Sequence, residues 1–168
     1  MGSRAFAALT AAMAMLVAAI ITSAPAHATP TSGAYRIVAA DDGRWLRMFE
    51  GSPALILAAS TPPPGDGLWI WWLEPMGEAD GEHFAIVNHT RRAALSAAAH
   101  PGATVRTEPE SETSTRWALT PAGDGTYYLS YPGAELRAAG TSEEGSPDVV
   151  LRAPGPAQRW ELRWVGDY

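Results

Sequence analysis

The chain has 168 residues, with 12 basic and 18 acidic side chains and a formal net charge of −6. A chain this acidic is a poor candidate for binding nucleic acid or an anionic membrane, where contacts with phosphate groups supply most of the affinity. It contains no cysteine, which excludes a disulfide framework and a thiolate metal site.

The first 28 residues have the composition of a secretory signal peptide. Arg4 precedes an uncharged segment, residues 5–21, that is rich in Ala, Leu, Met and Ile. Ala26-His27-Ala28 then gives the small-x-small pattern that signal peptidase cleaves. We therefore expect cleavage after Ala28, a secreted mature chain of residues 29–168 that folds as one domain, and no membrane association after cleavage. An uncleaved anchor is the alternative, because the segment is close to the shortest helix that spans a bilayer.

The mature chain begins with short predicted strands separated by turns. Tyr35 to Val38 alternates as a half-buried strand does, and Asp41-Asp42-Gly43 is a turn signal. Trp45 to Met48 follows as the second strand, and Ala54 to Ala59 is the third. Residues 61–67 read Thr-Pro-Pro-Pro-Gly-Asp-Gly and are predicted to form an exposed, ordered loop, since prolines cannot donate to a strand ladder. We expect this loop to be dispensable for folding.

The fourth predicted strand contains the motif around which the chain is organised, a Trp followed two residues later by a Leu. Trp71 and Leu73 form its first copy, and Trp69 is expected to share their face of the strand while Trp72 shares the other. The motif recurs at Trp117 and at Trp160, about every 45 residues, a period typical of repeated supersecondary units.

Three other features repeat in phase with these Trp residues. Each unit has an aromatic-x-aliphatic start, then a Leu anchor, then a short apolar run. The starts are Tyr35, Phe84 and Tyr127, the anchors are Leu46, Leu95 and Leu136, and the runs are Leu55 to Leu57, Val105, and Val149 to Leu151. The units therefore cover residues of about 34–77, 82–122 and 126–168, with four short strands in each. No sustained helical pattern interrupts them, so the fold class is predicted to be all-β.

The second unit contains three segments that are predicted to be turns. They are Asn88-His89-Thr90, His100-Pro101-Gly102 and the acidic stretch from Glu108 to Glu112. Asn88-His89-Thr90 also matches a glycosylation sequon, although a turn is the favoured interpretation. The acidic stretch does not have the spacing of a calcium loop, and a charge run usually forms a solvated surface, so no metal site is expected.

Three four-stranded units can share one core if they close into a barrel capped by hairpins, which also removes exposed sheet edges. With its aromatic-x-Ile start, its Leu after a Gly turn and the Gln-x-Trp ending at Gln158-Arg159-Trp160, the chain resembles the ricin-B-type β-trefoils. The resemblance covers the whole mature chain and implies a lectin-like β-trefoil with pseudo-threefold symmetry. The core is predicted to contain one Trp and one Leu from each unit: Trp71, Trp117, Trp160, Leu73, Leu119 and Leu162.

The lectins that the chain resembles place an Asp just after the second-strand Leu and an aromatic residue on the third strand. The equivalent positions here are Arg47, Ser96 and Arg137, and the third strands carry no aromatic residue. The usual sugar pockets are therefore predicted to be absent, and neutral monosaccharides are expected to bind no more tightly than about 1 mM. The candidates for a relocated ligand site are Arg47, Ser96, Arg137, Asp41, Trp45 and Trp72.

No catalytic motif is present: the chain has neither a Gly-x-Ser-x-Gly elbow nor a His-Glu-x-x-His helix. Two non-enzymatic classes of function remain, and neither implies a cofactor. One is a secreted recognition module that binds a glycan or a cell-surface component. The other is a protein-binding trefoil such as an inhibitor of a secreted protease, with Pro62, Pro63, Pro64 and Asp66 as the contact loop. We expect a monomer in either case.

Overall fold

A computed structural model describes residues 29–77, 83–111, 115–131, 134–138, 149–152 and 158–166. The predicted signal peptide, residues 1–28, lies outside these residues, and so does Glu112. Within the described ranges, no helix is both long enough and apolar enough to cross a membrane.

The described residues form strands and one short 3₁₀ turn, Gly67–Trp69. The strands are, in chain order, β1 Gly33–Ala39, β2 Trp45–Met48, β3 Leu55–Ala58, β4 Trp71–Pro75, β5 His83–Asn88, β6 Ala93–Ser96, β7 Arg106–Pro109, β8 Trp117–Pro121, β9 Thr126–Tyr131, β10 Ala134–Ala138, β11 Val149–Arg152 and β12 Trp160–Gly166. Each predicted unit thus contributes four of them.

Six strands close into a barrel. β1 pairs with β4 and β12, β5 pairs with β4 and β8, and β9 pairs with β8 and β12, all antiparallel. The other six form three hairpins, β2–β3, β6–β7 and β10–β11, one after the first strand of each unit. A six-stranded barrel with three hairpins is a β-trefoil, so the predicted fold class is confirmed.

The register of the barrel explains why the aromatic residues repeat. The aromatic residue that starts each unit lies directly opposite the Trp that ends it, in the pairs Tyr35 with Trp71, Phe84 with Trp117, and Tyr127 with Trp160. One layer further along, an aliphatic residue of one unit faces the Leu of a neighbouring unit, in the pairs Ile37 with Leu162, Ile86 with Leu73, and Leu129 with Leu119. Each layer of the core therefore contains equivalent residues from all three units.

The three repeated Trp residues occupy the equivalent buried positions that were predicted. Each is fully buried, and each indole Nε1 donates to the backbone carbonyl of the Leu anchor in its own unit. The distances from Trp71, Trp117 and Trp160 to Leu46, Leu95 and Leu136 are 3.1, 2.9 and 3.1 Å. Leu73 and Leu119 are also buried, whereas Leu162 is half-buried and packs against the rim of the core. The bond ties each hairpin to the barrel.

Two sequence predictions about element boundaries are wrong. Trp69 does not belong to β4, because Asp66 caps a 3₁₀ turn there by accepting from Leu68 N at 3.0 Å and from Trp69 Nε1 at 2.8 Å. Glu108 does not lie in a turn, because β7 continues to Pro109. Pro109 is tolerated because it is the last residue of β7, and β7 is the last strand in the order of paired strands. A backbone N–H is not required at that position.

The prediction that residues 61–67 form an exposed loop is wrong at Pro62 and at Gly67. Pro62 and Gly67 are buried, and a Cβ added at Gly67 would clash with the side chain of Thr90. Asn88, which is fully buried, donates from Nδ2 to the carbonyls of Gly67, Leu68 and Ile70 at 3.2, 3.2 and 3.3 Å. The loop is therefore anchored to β5, and only its middle is free to vary.

Candidate functional site

Arg47, Ser96 and Arg137, where the lectins that the sequence resembles have an acidic residue, each lie just after a Leu whose carbonyl accepts a hydrogen bond from a core indole. The backbone of Arg47, Ser96 and Arg137 is therefore fixed at equivalent points of the three hairpins. Their side chains, however, have different surroundings, so the three units are not equivalent in chemistry.

Arg47 and Arg137 are occupied by contacts within the protein. The guanidinium of Arg47 lies 5.0 Å from the centre of the Trp69 ring, and its Nε donates to the Met48 carbonyl at 3.4 Å. Arg137 forms an ion pair with Glu135 at 3.0 Å, and both of these side chains are only 18% exposed. In both units the side chain at this position is therefore used within the protein.

Ser96 belongs instead to a polar network that spans the β6–β7 hairpin. Its hydroxyl donates to Glu108 Oε2 at 3.1 Å and accepts from Thr115 Oγ1 at 3.2 Å. Arg106, which is opposite Ser96 in the strand register, donates to Glu108 Oε1 from Nε at 3.0 Å and from Nη2 at 2.7 Å. The second unit thus places a carboxylate beside the position where the lectins that the sequence resembles have an Asp.

This carboxylate is held in its ionised form. The hydrogen bonds from Arg106, and secondly that from Ser96, lower the pKa of Glu108 below the ordinary value for Glu. Because nearly half of the Glu108 side chain is exposed, its oxygens remain accessible to a ligand. A charged acceptor beside a charged donor is the combination that binds neutral hydroxyl groups most strongly.

A cavity of about 460 Å³ lies against this network. Arg106 and Glu108 form its polar side, His100 and Thr104 stand at the hairpin turn, and Ala97 and Ala98 add small apolar surface. The volume lies within the usual range for small-molecule sites. The cavity therefore joins an ionised acceptor, a guanidinium donor and apolar surface at one place.

None of the site residues predicted from the sequence lines this cavity. Asp41 Oδ1 lies 3.7 Å from Arg159 Nη2, and the guanidinium carbon of Arg163 lies 4.7 Å from the centre of the Trp45 ring. Trp72 donates from Nε1 to His89 Nδ1 at 2.9 Å. In the loop proposed as a protein contact, Pro63 and Pro64 are exposed, whereas Pro62 is buried and Asp66 is used as a cap. Of the predicted site residues, only Ser96 contacts a residue that lines the cavity, through its hydrogen bond to Glu108.

Sequence reasoning missed Glu108 and Arg106 as site residues. Glu108 contacts Ser96 across 12 positions of the chain, a separation fixed by the hairpin register. The signal that was present is the alternation Arg106-Thr107-Glu108, in which the first and third residues share one face of a strand.

Metal binding has no support in the described residues. In the part of the chain that the structure describes, no group of three or more His, Asp or Glu side chains is arranged to hold an ion.

No protein-family model matches the sequence, and no curated protein matches it. Solved structures do match. A designed threefold-symmetric protein, ThreeFoil, is 23% identical with a TM-score of 0.66, and the match covers 79% of this chain and 99% of that one. A ricin B-like lectin from Macrolepiota procera, solved with lactose, is 15% identical with a TM-score of 0.63, and the match covers 82% and 100%.

A third match is to a larger protein. An exo-β-1,3-galactanase from Clostridium thermocellum is 22% identical with a TM-score of 0.63, and the match covers 82% of this chain but only 31% of the galactanase. Together these matches show that the fold is a β-trefoil, the fold of the ricin-B-type family that the sequence resembles.

Proposed function

We propose that this protein is a secreted, non-catalytic carbohydrate-binding module whose glycan site is the cavity on the β6–β7 hairpin. The observation that carries the proposal is the ionised Glu108 carboxylate, held by Ser96 and Arg106 at the edge of that cavity. Glu108 supplies the carboxylate that is missing from the position after the second-strand Leu, where this unit has Ser96. The fold shared with a lectin solved in complex with lactose supports the same class of ligand.

The chemistry of the site suits a sugar. Neighbouring hydroxyl groups on a pyranose can donate to Glu108 and accept from Arg106, because the two side chains present an acceptor and a donor side by side. The apolar CH face of the ring can rest against Ala97 and Ala98. None of the described residues that line the cavity is Trp, Tyr or Phe. A single sugar therefore lacks a stacking platform and should bind weakly.

Secretion remains a proposal that rests on the signal-like composition of residues 1–28 and on the Ala26-His27-Ala28 site. Intact-mass analysis of the protein exported by a secreting host should give a chain that begins at Thr29. A retained leader would contradict cleavage at this site.

A protease-inhibitor role receives no support from the described loop. Asp66 is committed to the 3₁₀ turn, and the carbonyl of Pro63 accepts from Arg36 Nη2 at 3.2 Å. Only Pro63, Pro64 and Gly65 form a continuous exposed segment at its tip. An inhibitor must present an extended segment to the protease, and three residues provide little contact area.

The proposed function is tested by screening the mature chain on an array of neutral and acidic glycans beside a panel of secreted proteases. We expect binding to a restricted set of glycans and no inhibition of any protease. An array without signal at a high protein concentration would contradict the proposal, and nanomolar inhibition of a protease would replace it.

A further inference from the structure

We propose that the ligand is a linear oligosaccharide, at least a trisaccharide in length, that lies along β7 and is bound by two arginine–glutamate pairs. The inference rests on the proposed function, since it concerns the ligand of the same site. The first pair is Arg106 with Glu108. The second is Arg92 with Glu110, at the base of the same hairpin.

The second pair repeats the chemistry of the first. Arg92 Nη2 lies 2.7 Å from Glu110 Oε2 and 3.1 Å from Glu74 Oε1. The side chains of Arg92, Glu110 and Glu74 are 54%, 30% and 34% exposed, so all three can reach a ligand. Like the first pair, this cluster offers a guanidinium donor beside carboxylate acceptors.

The strand register places both pairs on one face of the hairpin. Glu110 N donates to the Arg92 carbonyl at 3.4 Å, which continues the β6–β7 ladder beyond Ala93 and Pro109. Residues two apart along a strand point to the same side, so Glu108 and Glu110 share a face. Ala94, opposite Glu108 in the register, puts only a methyl group between the two pairs.

Three cavities follow β7 from the hairpin turn to the hairpin base. A cavity of about 460 Å³ at the turn is lined by Arg106 and Glu108, and one of about 730 Å³ at the base is lined by Arg92 and Glu110. Another, of about 390 Å³, shares Glu108 with the first and Arg92 with the second, and it is also lined by Ala93 and Thr107, which alternate with the paired residues and point to the other face of the hairpin. We call the face of the hairpin that carries both pairs, with the cavities at its two ends, the β7 groove.

The backbone of Arg92 closes the turn between β5 and β6, where its N donates to the Asn88 carbonyl at 3.0 Å. Its φ is 48°, in the left-handed region that side chains other than Gly and Asn rarely adopt. It is the one described non-glycine residue with a positive φ. Gly43 ends the equivalent turn of the first unit, with its N 2.8 Å from the Ala39 carbonyl and a φ of 73°, so glycine also fits this position.

The length of the groove indicates the length of the ligand. The four residues of β7 alone span about 13 Å, and the groove extends beyond both of its ends. A monosaccharide at Glu108 can contact one pair only. A linear oligosaccharide can place one sugar at Arg106 and Glu108 and a later sugar at Arg92 and Glu110, with a linking sugar between them.

The test is titration calorimetry with galactose, lactose and linear β-1,3-galacto-, β-1,4-xylo- and β-1,4-gluco-oligosaccharides, each from disaccharide to hexasaccharide. The variants are Glu108→Gln and Arg92→Gly, with Glu161→Gln as the control. Glycine at position 92 removes the guanidinium and also suits the positive φ, so this variant should keep the fold. Glu161 forms the same kind of pair with Arg163 in β12 and lies outside the groove.

We expect the dissociation constant to fall about tenfold or more between disaccharide and tetrasaccharide of the series that binds, because the longer chain gains bonds to charged groups. Arg92→Gly should remove that gain and leave disaccharide binding unchanged, whereas Glu108→Gln should weaken every length. An affinity independent of chain length, or an Arg92→Gly variant equal to wild type, would overturn the oligosaccharide inference alone. Absence of binding by every probe, or a Glu108→Gln variant equal to wild type, would overturn the proposed function with it.

Discussion

The indole of Trp117 donates to the carbonyl oxygen of Leu95 at 2.9 Å, with both residues fully buried. Leu95 lies in β6 and Trp117 in β8, so this bond connects the β6–β7 hairpin to the barrel. The same bond exists in the first and third units. Because Ser96 directly follows the accepting carbonyl, the core also fixes the position of the proposed sugar site.

We predict that Trp117→Phe lowers the free energy of unfolding by about 1–3 kcal/mol, because it leaves the buried Leu95 carbonyl without its donor. Trp117→Ala should lower it by about 3–5 kcal/mol, since a large cavity is added. Urea unfolding followed by circular dichroism measures both. Trp45→Phe, at a half-exposed position outside the core, is the matched control and should change stability much less. Equal losses at Trp45 and Trp117 would argue against the tethering bond.

Asn88 is predicted to be essential for stability and closed to glycosylation. Its Nδ2 donates to carbonyls of the 3₁₀ turn and of Ile70, and its Oδ1 accepts from the backbone N of Thr90 and Arg91 at 3.2 Å each. Asn88→Ala should cost about 1–3 kcal/mol for each buried group left unpaired. Mass spectrometry of the protein from a glycosylating host should find Asn88 unmodified. A glycan at Asn88 on folded protein would contradict this account of the turn.

The loop of residues 61–67 should tolerate change in its middle and not at its end. Replacement of Pro63 and Pro64 by Gly and Ser should change stability little, since both side chains are exposed. Asp66→Ala should cost about 0.5–2 kcal/mol, because it removes the cap of the 3₁₀ turn. Thermal melts of the two variants compare these effects directly, and an Asp66→Ala melt equal to wild type would show that the cap is not needed.

Glycan binding is predicted to survive mild acid. The pKa of Glu108 is lowered by Arg106 and Ser96, so the carboxylate stays charged as the pH falls through the ordinary range for Glu. Binding should therefore be nearly constant from about pH 7 to pH 5 and be lost only at lower pH, when Glu108 takes up a proton. The stability contribution of this carboxylate has the same sign: it is present above the unfolded pKa and is lost as the pH falls through the lower folded pKa.

Calorimetric titrations across this pH range test the prediction, with Glu108→Gln as the reference. Residual binding by that variant should not show the acid loss. A decline that begins well above pH 5 would instead point to another titrating group.

The fold could be predicted from the sequence because a shared core requires the same residue types from each unit at the same spacing. The nearly even spacing of Trp71, Trp117 and Trp160 indicates this repeat. Trp69 is wrongly predicted to lie in a strand because nothing in the local sequence pattern indicates the hydrogen bond from its indole to Asp66. Glu108 was assigned to a turn because Pro109 marks a break in most strands, and the edge position that tolerates it is a property of the sheet. The site was missed for the same reason, since the hairpin register alone brings Glu108 to Ser96.

The central claim, that the Glu108 carboxylate binds a glycan, is tested most directly by the affinity of wild type, Glu108→Gln and Glu161→Gln for the strongest glycan on the array. Gln keeps the shape of Glu and removes its charge, and the Glu161 variant makes the same change at a pair outside the β7 groove. We predict wild-type affinity for Glu161→Gln and a loss of about tenfold or more for Glu108→Gln, as expected for hydrogen bonds to a charged group. Unchanged affinity in a folded Glu108→Gln protein would contradict the account and place the site elsewhere on the trefoil.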